Sequence, residues 1–182
     1  MDDNVISVEV VKLLDEMNLL WNQHVEWTRM FLISIAENLK DLEPTRARLL
    51  RNPKDMGNLY GRYYGEAARS KIQNLLTEHL VIGGDIIVAL KNGNTALAKT
   101  LDEKWHRNAD EIAKALKNIN ENYDEELLRN MLYEHLRLTT DQVKLRLRKD
   151  YEGDIKAYDK VEQEALKMAK YLAIGIASDK LS

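Results

Sequence analysis

The chain has 182 residues and a formal net charge of −3, with 27 basic and 30 acidic residues. A charge this close to balance provides no strong electrostatic attraction to nucleic acid or to an anionic membrane surface. The absence of cysteine excludes disulfides, thiolate metal sites, iron–sulfur clusters and a cysteine nucleophile. Any metal ion would therefore be bound by nitrogen and oxygen atoms.

The composition favours a single compact domain over residues 1–182 in which helices predominate. Eight glycines and two prolines leave long stretches of the chain without a helix breaker. No apolar stretch approaches the roughly 20 residues that a membrane-spanning helix requires, and the first residues lack the basic start of a signal peptide. The sequence predicts a soluble, cytoplasmic, all-α protein.

Five helices are predicted from apolar residues that recur at intervals of three and four. Short connections near Gly93 and at 120–124 make consecutive helices antiparallel, which predicts an up-down-up-down four-helix bundle. At the C-terminus, Gly153 either kinks one very long fourth helix or separates the fourth helix from a fifth. This additional C-terminal helix would pack on its own bundle or form a homodimer. The predicted helices cover residues 5–39, 59–90, 95–119, 125–150 and 154–177.

An internal repeat indicates that the bundle is a duplicated helical hairpin. Seven residues between 74 and 85 reappear, identical or closely similar, 56 positions later between 130 and 141. The partner helices correspond more weakly, since each carries a tryptophan three residues before a polar residue, and this pairs His24 with Asn108. The predicted repeat therefore places the polar residues of all four helices at corresponding heights.

These polar residues interrupt the apolar face of each helix, and the turns between helices set their heights. His79 and Asn108 are both about 14 residues from the turn at Gly93, and Asn108 and His135 are both about 13 residues from the next turn. His24 joins them through its correspondence to Asn108. Because burial makes every unmet hydrogen-bonding group costly, a divalent cation that satisfies three acceptor nitrogens at once is a strong candidate. The sequence predicts a metal site formed by His24, His79 and His135.

Three imidazoles with an open fourth position suit zinc first, and iron, copper, manganese or cobalt with less selectivity. Asn108 would be a weak oxygen ligand or would orient a bound water. Haem with two axial histidines is a further alternative, with Gly83 making room, and so is an organic small-molecule ligand. In an enzyme the metal would activate water or dioxygen, with Glu78 or Glu134 as base. The sequence does not indicate a substrate or decide whether the protein is an enzyme.

Several neighbours of the polar layer are predicted to shape the site. Three tryptophans would shield it from water, and small residues on the descending helices would lie beside it. Glu78 and Glu134 each precede a histidine and point about 100° away around the helix. We expect them to accept the outer N–H of a histidine on a neighbouring helix, or else to be solvated. The tryptophans and small residues are Trp21, Trp27, Trp105, Gly83 and Thr139.

A structural interpretation of the same layer remains open. The histidines and Asn108 would then hydrogen-bond one another and Glu78 or Glu134, and the buried network would fix the register of the bundle. The protein would be an interaction module, and the C-terminal helix or the tyrosines near residue 60 would bind the partner.

Four segments, 21–29, 50–55, 77–80 and 132–136, resemble a family of small uncharacterised helical proteins from clostridia and bacilli. The similarity covers most of the chain. Some members of that family carry the label acetylglutamate kinase. Such a kinase requires an α/β sheet and glycine-rich nucleotide loops, which this sequence lacks. The resemblance therefore implies a family without implying an activity or a catalytic residue.

Overall fold

The computed structural model describes residues 7–181, and their regular secondary structure is entirely helical. This confirms the all-α prediction for the described part of the chain, while residues 5 and 6 of the first predicted helix lie outside it. None of the helices within residues 7–181 is both long and apolar enough to cross a membrane. The helices are α1 (Val8–Glu37), α2 (Leu42–Leu49), α3 (Asn52–Lys91), α4 (Thr95–Ile119), α5 (Glu125–Leu147) and α6 (Tyr151–Lys180).

Side chains that cap the N-termini define where four of these helices begin. Ser7, Asn94, Asp124 and Asp150 each accept a hydrogen bond from the backbone N–H three residues later. Each such cap satisfies one of the N–H groups that the first helical turn leaves without a partner. Residues 148–150 separate α5 from α6. Gly153 therefore lies in the first turn of α6 and does not kink a longer helix.

The segment labelled α3 reverses direction at Gly65, which has a φ of 84° and a ψ of −178°. A Cβ on Gly57 would lie 3.0 Å from the Cβ of Gln73, although these residues would be roughly 24 Å apart in one straight helix. The two halves, 52–64 and 66–91, therefore run back along each other. The helix predicted to start near residue 59 instead begins at Asn52 and contains this reversal.

The long helices form a closed ring of neighbours. α1 packs against α3 and α6, α3 against α4, α4 against α5, and α5 against α6, while the short α2 lies on α1. The apolar face of α6 is buried inside this ring of its own chain. Its buried apolar residues are Val161, Ala165, Met168, Ala169, Leu172, Ala173 and Ile176.

Candidate metal centre

The structure brings His24 of α1, His79 of α3 and His135 of α5 together in the core. Their side chains are 4%, 2% and 3% exposed. The ring centroid of His24 lies 6.4 Å from that of His79 and 5.5 Å from that of His135, and the His79 and His135 centroids are 6.4 Å apart. Three imidazoles on three helices are therefore mutual neighbours in a water-poor environment.

Each imidazole has an oxygen partner for Nδ1 on a helical segment later in the chain. His24 Nδ1 lies 3.2 Å from Asn52 Oδ1, and His79 Nδ1 lies 2.9 Å from Asn108 Oδ1. His135 Nδ1 lies 3.0 Å from a carboxylate oxygen of Glu164. The partners are themselves buried, and each follows its histidine by 28 or 29 residues.

The two asparagines fix the tautomers of their histidines. Asn52 Nδ2 donates to the carbonyl oxygen of Leu20 at 2.8 Å, and Asn108 Nδ2 donates to that of Leu75 at 3.1 Å. Because a carbonyl can only accept, each amide oxygen must face the imidazole, and Nδ1 must carry the proton. The neutral rings of His24 and His79 thus keep an unprotonated Nε2. None of the hydrogen bonds formed by residues 7–181 reaches Nε2 of any of the three histidines.

The environment holds at least two of the rings neutral. Burial, with the neighbouring His135 as a second cause, lowers the pKa of His79 to about 3. Burial also lowers the pKa of His24 well below its usual value, with His135 and His79 as additional causes. A neutral imidazole can act as a ligand, whereas a protonated one cannot.

A cavity of about 30 Å³ lies against the three rings. Since a water molecule needs roughly 10–15 Å³ of such space, the cavity has room for about two waters. Its wall includes the residue four positions after each histidine, namely Thr28, Gly83 and Thr139. The remainder of the wall is mostly apolar and includes Phe31, Leu80, Ile86 and Val143.

Two of the three tryptophans lie beside the imidazoles. The Trp21 ring is 5.4 Å from the His24 ring, and the Trp105 ring is 5.1 Å from the His79 ring. Trp105 Nε1 also donates to the backbone oxygen of His79 at 2.9 Å. Trp27 does not line this cavity and instead packs under the guanidinium of Arg48, which lies 4.8 Å from the centre of a Trp27 ring.

Gly83 lies beside the imidazoles as predicted, and it also allows a close approach of Trp105. It lines the cavity, and a Cβ there would lie 3.1 Å from Cζ2 of Trp105. Since Trp105 is anchored to a backbone oxygen, the glycine allows this close approach, and the cavity remains beside the imidazoles.

Glu78 and Glu134 do not contact a histidine. Glu78 is half-exposed, pairs with Lys104 at 3.3 Å and lies 3.4 Å from the side-chain nitrogen of Asn108. Glu134 pairs with Arg137 at 2.6 Å on the outer surface. The side chains that offer an oxygen to the imidazoles are instead Asn52, Asn108 and Glu164. Asn108 had been predicted to be a weak metal ligand or to orient a bound water.

Asn52 and Glu164 are site residues that the sequence interpretation missed. The signal was present, because Asn52 lies 56 positions before Asn108 and Glu164 lies 56 positions after it. This is the interval of the predicted repeat. The interpretation had paired His24 with Asn108, whereas in the structure Asn52 is the counterpart of Asn108 and His24 is the counterpart of His79.

Glu164 differs from its two counterparts in one respect. Where each asparagine donates an N–H to a backbone oxygen, the second carboxylate oxygen of Glu164 is buried and has no hydrogen-bond partner within the described residues. The third imidazole is therefore supported by a carboxyl group where the other two have an amide.

Among residues 7–181, no group of three or more His, Cys, Asp or Glu side chains has the geometry needed to hold a metal ion as the side chains stand. Comparison of the chain with protein-family models, curated proteins and solved structures finds no match. The function must therefore be argued from the contacts of the site itself.

Proposed function

We propose that this protein binds one divalent metal ion through the Nε2 atoms of His24, His79 and His135. The observation that carries the proposal is that three buried, adjacent imidazoles have Nδ1 partnered while Nε2 has no donor within the described residues. Leaving the buried acceptor nitrogens of His24 and His79 unpaired would cost about 1–3 kcal/mol each. A single cation removes both costs, and the oxygen partners at Nδ1 are the kind of contact that orients metal-binding histidines.

The distances between the rings support a small closing movement on binding. An ion held tetrahedrally by three Nε2 atoms at about 2.1 Å would bring the ring centroids to about 5 Å from one another. The observed separations of 5.5–6.4 Å exceed this value by roughly 0.5 to 1.4 Å. Small changes in side-chain torsions supply that distance without moving a helix.

Zinc is the first candidate, since three neutral imidazoles with an open fourth position form a known type of zinc site. Iron, copper and manganese remain alternatives, because nitrogen ligands select weakly among divalent ions. The volume of about 30 Å³ favours an ion with one or two waters over haem or an organic ligand. Glu78 and Glu134 do not line the cavity, so we do not assign either as a base at the metal.

We infer that the scaffold of the site consists of three repeated helical hairpins rather than two. Each histidine lies on the first helix of a pair and its oxygen partner on the second. The pairs are α1 with residues 52–64, residues 66–91 with α4, and α5 with α6. The interval of 28 or 29 residues between each histidine and its partner supports this inference, and the reversal at Gly65 separates the first pair from the second.

Metal titration of chelator-treated protein tests the proposal. We expect about one equivalent of zinc to bind in calorimetry and the melting temperature to rise. An ion at 100 times its Kd would add about 2.7 kcal/mol to the free energy of unfolding. His79→Ala and His135→Ala should abolish both effects. The matched control is His106→Ala, which removes a surface imidazole whose Nδ1 contacts the backbone oxygen of Asp102.

Two results would contradict metal binding. One is substoichiometric metal whose amount does not change in His79→Ala or His135→Ala. The other is a lower melting temperature in these variants, measured in chelator, together with no metal-dependent stabilisation of the unaltered protein. The second result would favour the structural network, in which the imidazoles and their oxygen partners serve only to fix the register of the helices.

A further inference from the structure

Thr139 lines the cavity beside the imidazoles and has a buried hydroxyl without a hydrogen-bond partner among the described residues. Its side chain is 6% exposed, and Oγ1 has no hydrogen-bond partner among the described residues. Three other helical threonines use their hydroxyl locally, since Thr28, Thr77 and Thr100 each donate to the backbone oxygen four residues earlier. A buried hydroxyl without a partner costs about 1–3 kcal/mol, so its retention beside the cavity calls for a ligand.

The position of Thr139 follows from the helix. It lies four residues after His135, and side chains four apart share one face of a helix. The corresponding positions after the other two histidines are occupied by Gly83, which has no side chain, and by Thr28. The hydroxyl of Thr28 donates to the backbone oxygen of His24. Thr139 therefore supplies an uncommitted hydroxyl to the cavity that the three imidazole rings line.

We propose that Thr139 positions an exchangeable fourth ligand of the metal, namely a water or hydroxide that small anions can displace. This inference rests on the proposed metal site, and it adds an open coordination position with a specific hydrogen-bonding group. A metal-bound water donates to the threonine oxygen, and a bound anion accepts from the threonine hydroxyl. One side chain can therefore serve both ligands, because a hydroxyl both donates and accepts.

The cavity sets the size of the ligand. About 30 Å³ holds one or two water-sized groups, so triatomic anions fit only by displacing water, and larger molecules are excluded. A surface pocket of about 200 Å³ shares part of the cavity wall. The shared residues are Phe31, Leu49, Leu80 and Gly84. We expect the ligand to exchange through this wall, where Phe31 packs directly on Gly84.

Cobalt(II) and azide provide a direct test. Cobalt-loaded protein should show visible absorption typical of a four-coordinate ion, and azide should change that spectrum. Thr139→Val should load the same amount of cobalt but bind azide about tenfold more weakly, the loss of one hydrogen bond. Thr139→Ser should retain the affinity for azide. The matched control is Thr140→Val, which alters the adjacent threonine of the same cavity wall.

The outcomes separate the two proposals. If cobalt does not bind to the unaltered protein, the proposed metal site fails, and this inference fails with it. If cobalt binds but azide leaves the spectrum unchanged, there is no exchangeable position and this inference alone is wrong. Equal azide affinity in Thr139→Val and the unaltered protein would also overturn it. Thermal melts in chelator should show Thr139→Val folded and no less stable, since valine has nearly the same shape and no unpaired hydroxyl.

Discussion

Two buried polar clusters in this protein differ in how many of their acceptor atoms have a hydrogen-bond donor. In the first, Asp154 is fully buried, and both its oxygens accept from Arg29, at 2.6 and 3.1 Å. Gln142 adds a further donor at 3.0 Å, and Arg146 lies 3.5 Å away. In the second cluster, the three histidines use Nδ1, but their Nε2 atoms have no partner among the described residues.

The difference separates a structural polar cluster from one suited to a ligand. The Asp154 cluster ties α1, α5 and α6 together and leaves the carboxylate no free lone pair to offer an incoming group. The histidine cluster has an unpaired carboxylate oxygen on Glu164, an unpaired hydroxyl on Thr139 and a small cavity in one place. Buried polar groups are normally satisfied, so unmet groups that converge indicate where a ligand belongs.

The largest effect is expected from breaking the Asp154 cluster. Asp154→Ala removes the acceptor and leaves Arg29 partly buried without a counter-charge. We expect the free energy of unfolding to fall by about 3–5 kcal/mol, as for other broken buried ion pairs. Urea denaturation measures this loss. Asp159→Ala, at an exposed position of the same helix, should change the value by less than about 0.5 kcal/mol. Similar losses in both variants would show that the Asp154 cluster does not stabilise the fold.

The histidine cluster should make the metal-free protein sensitive to acid. His24 and His79 resist protonation in the folded state, with a pKa of about 3 for His79, whereas an unfolded chain takes up the proton near pH 6.5. Below pH 6.5 the unfolded state therefore binds more protons, and stability falls as the pH falls. The loss is about 2 kcal/mol for each of these two imidazoles between pH 6.5 and 5, and for His79 it continues toward pH 3.

Urea denaturation in chelator at several pH values measures this effect. His79→Gln removes the titrating ring and should reduce the dependence on pH between 6.5 and 5. A free energy of unfolding that stays constant across that interval in the unaltered protein would show that the imidazoles are not held neutral by burial.

A smaller effect is expected from making the third histidine pair resemble the other two. Glu164→Gln keeps an oxygen for His135 Nδ1 and puts an N–H where an unpaired carboxylate oxygen now lies. We expect a change below about 1 kcal/mol in chelator. Glu164→Ala leaves the buried N–H of His135 without an acceptor and should cost about 1–3 kcal/mol. If both variants lose the same stability, the charge of Glu164 contributes more than its role as acceptor.

Much of the fold could be predicted from local sequence. Apolar residues at intervals of three and four identify the long helices, and capping residues such as Asn94 and Asp124 mark where two of them begin. The reversal at Gly65 was missed, because a glycine within a strongly helical pattern does not reveal that its φ is positive. The resemblance to the clostridial and bacillar family stays a prediction.

The sequence by itself determined that three histidines interrupt apolar helix faces, because periodicity is a property of each helix alone. Which oxygen atoms meet those imidazoles was decided only by the tertiary structure. Asn52 and Glu164 reach His24 and His135 because residues 52–64 and α6 pack beside α1 and α5, and no local rule fixes such neighbours. The hydroxyl of Thr139 is likewise unpaired because none of the described residues packed around it offers a hydrogen-bond partner. Only the tertiary structure shows this.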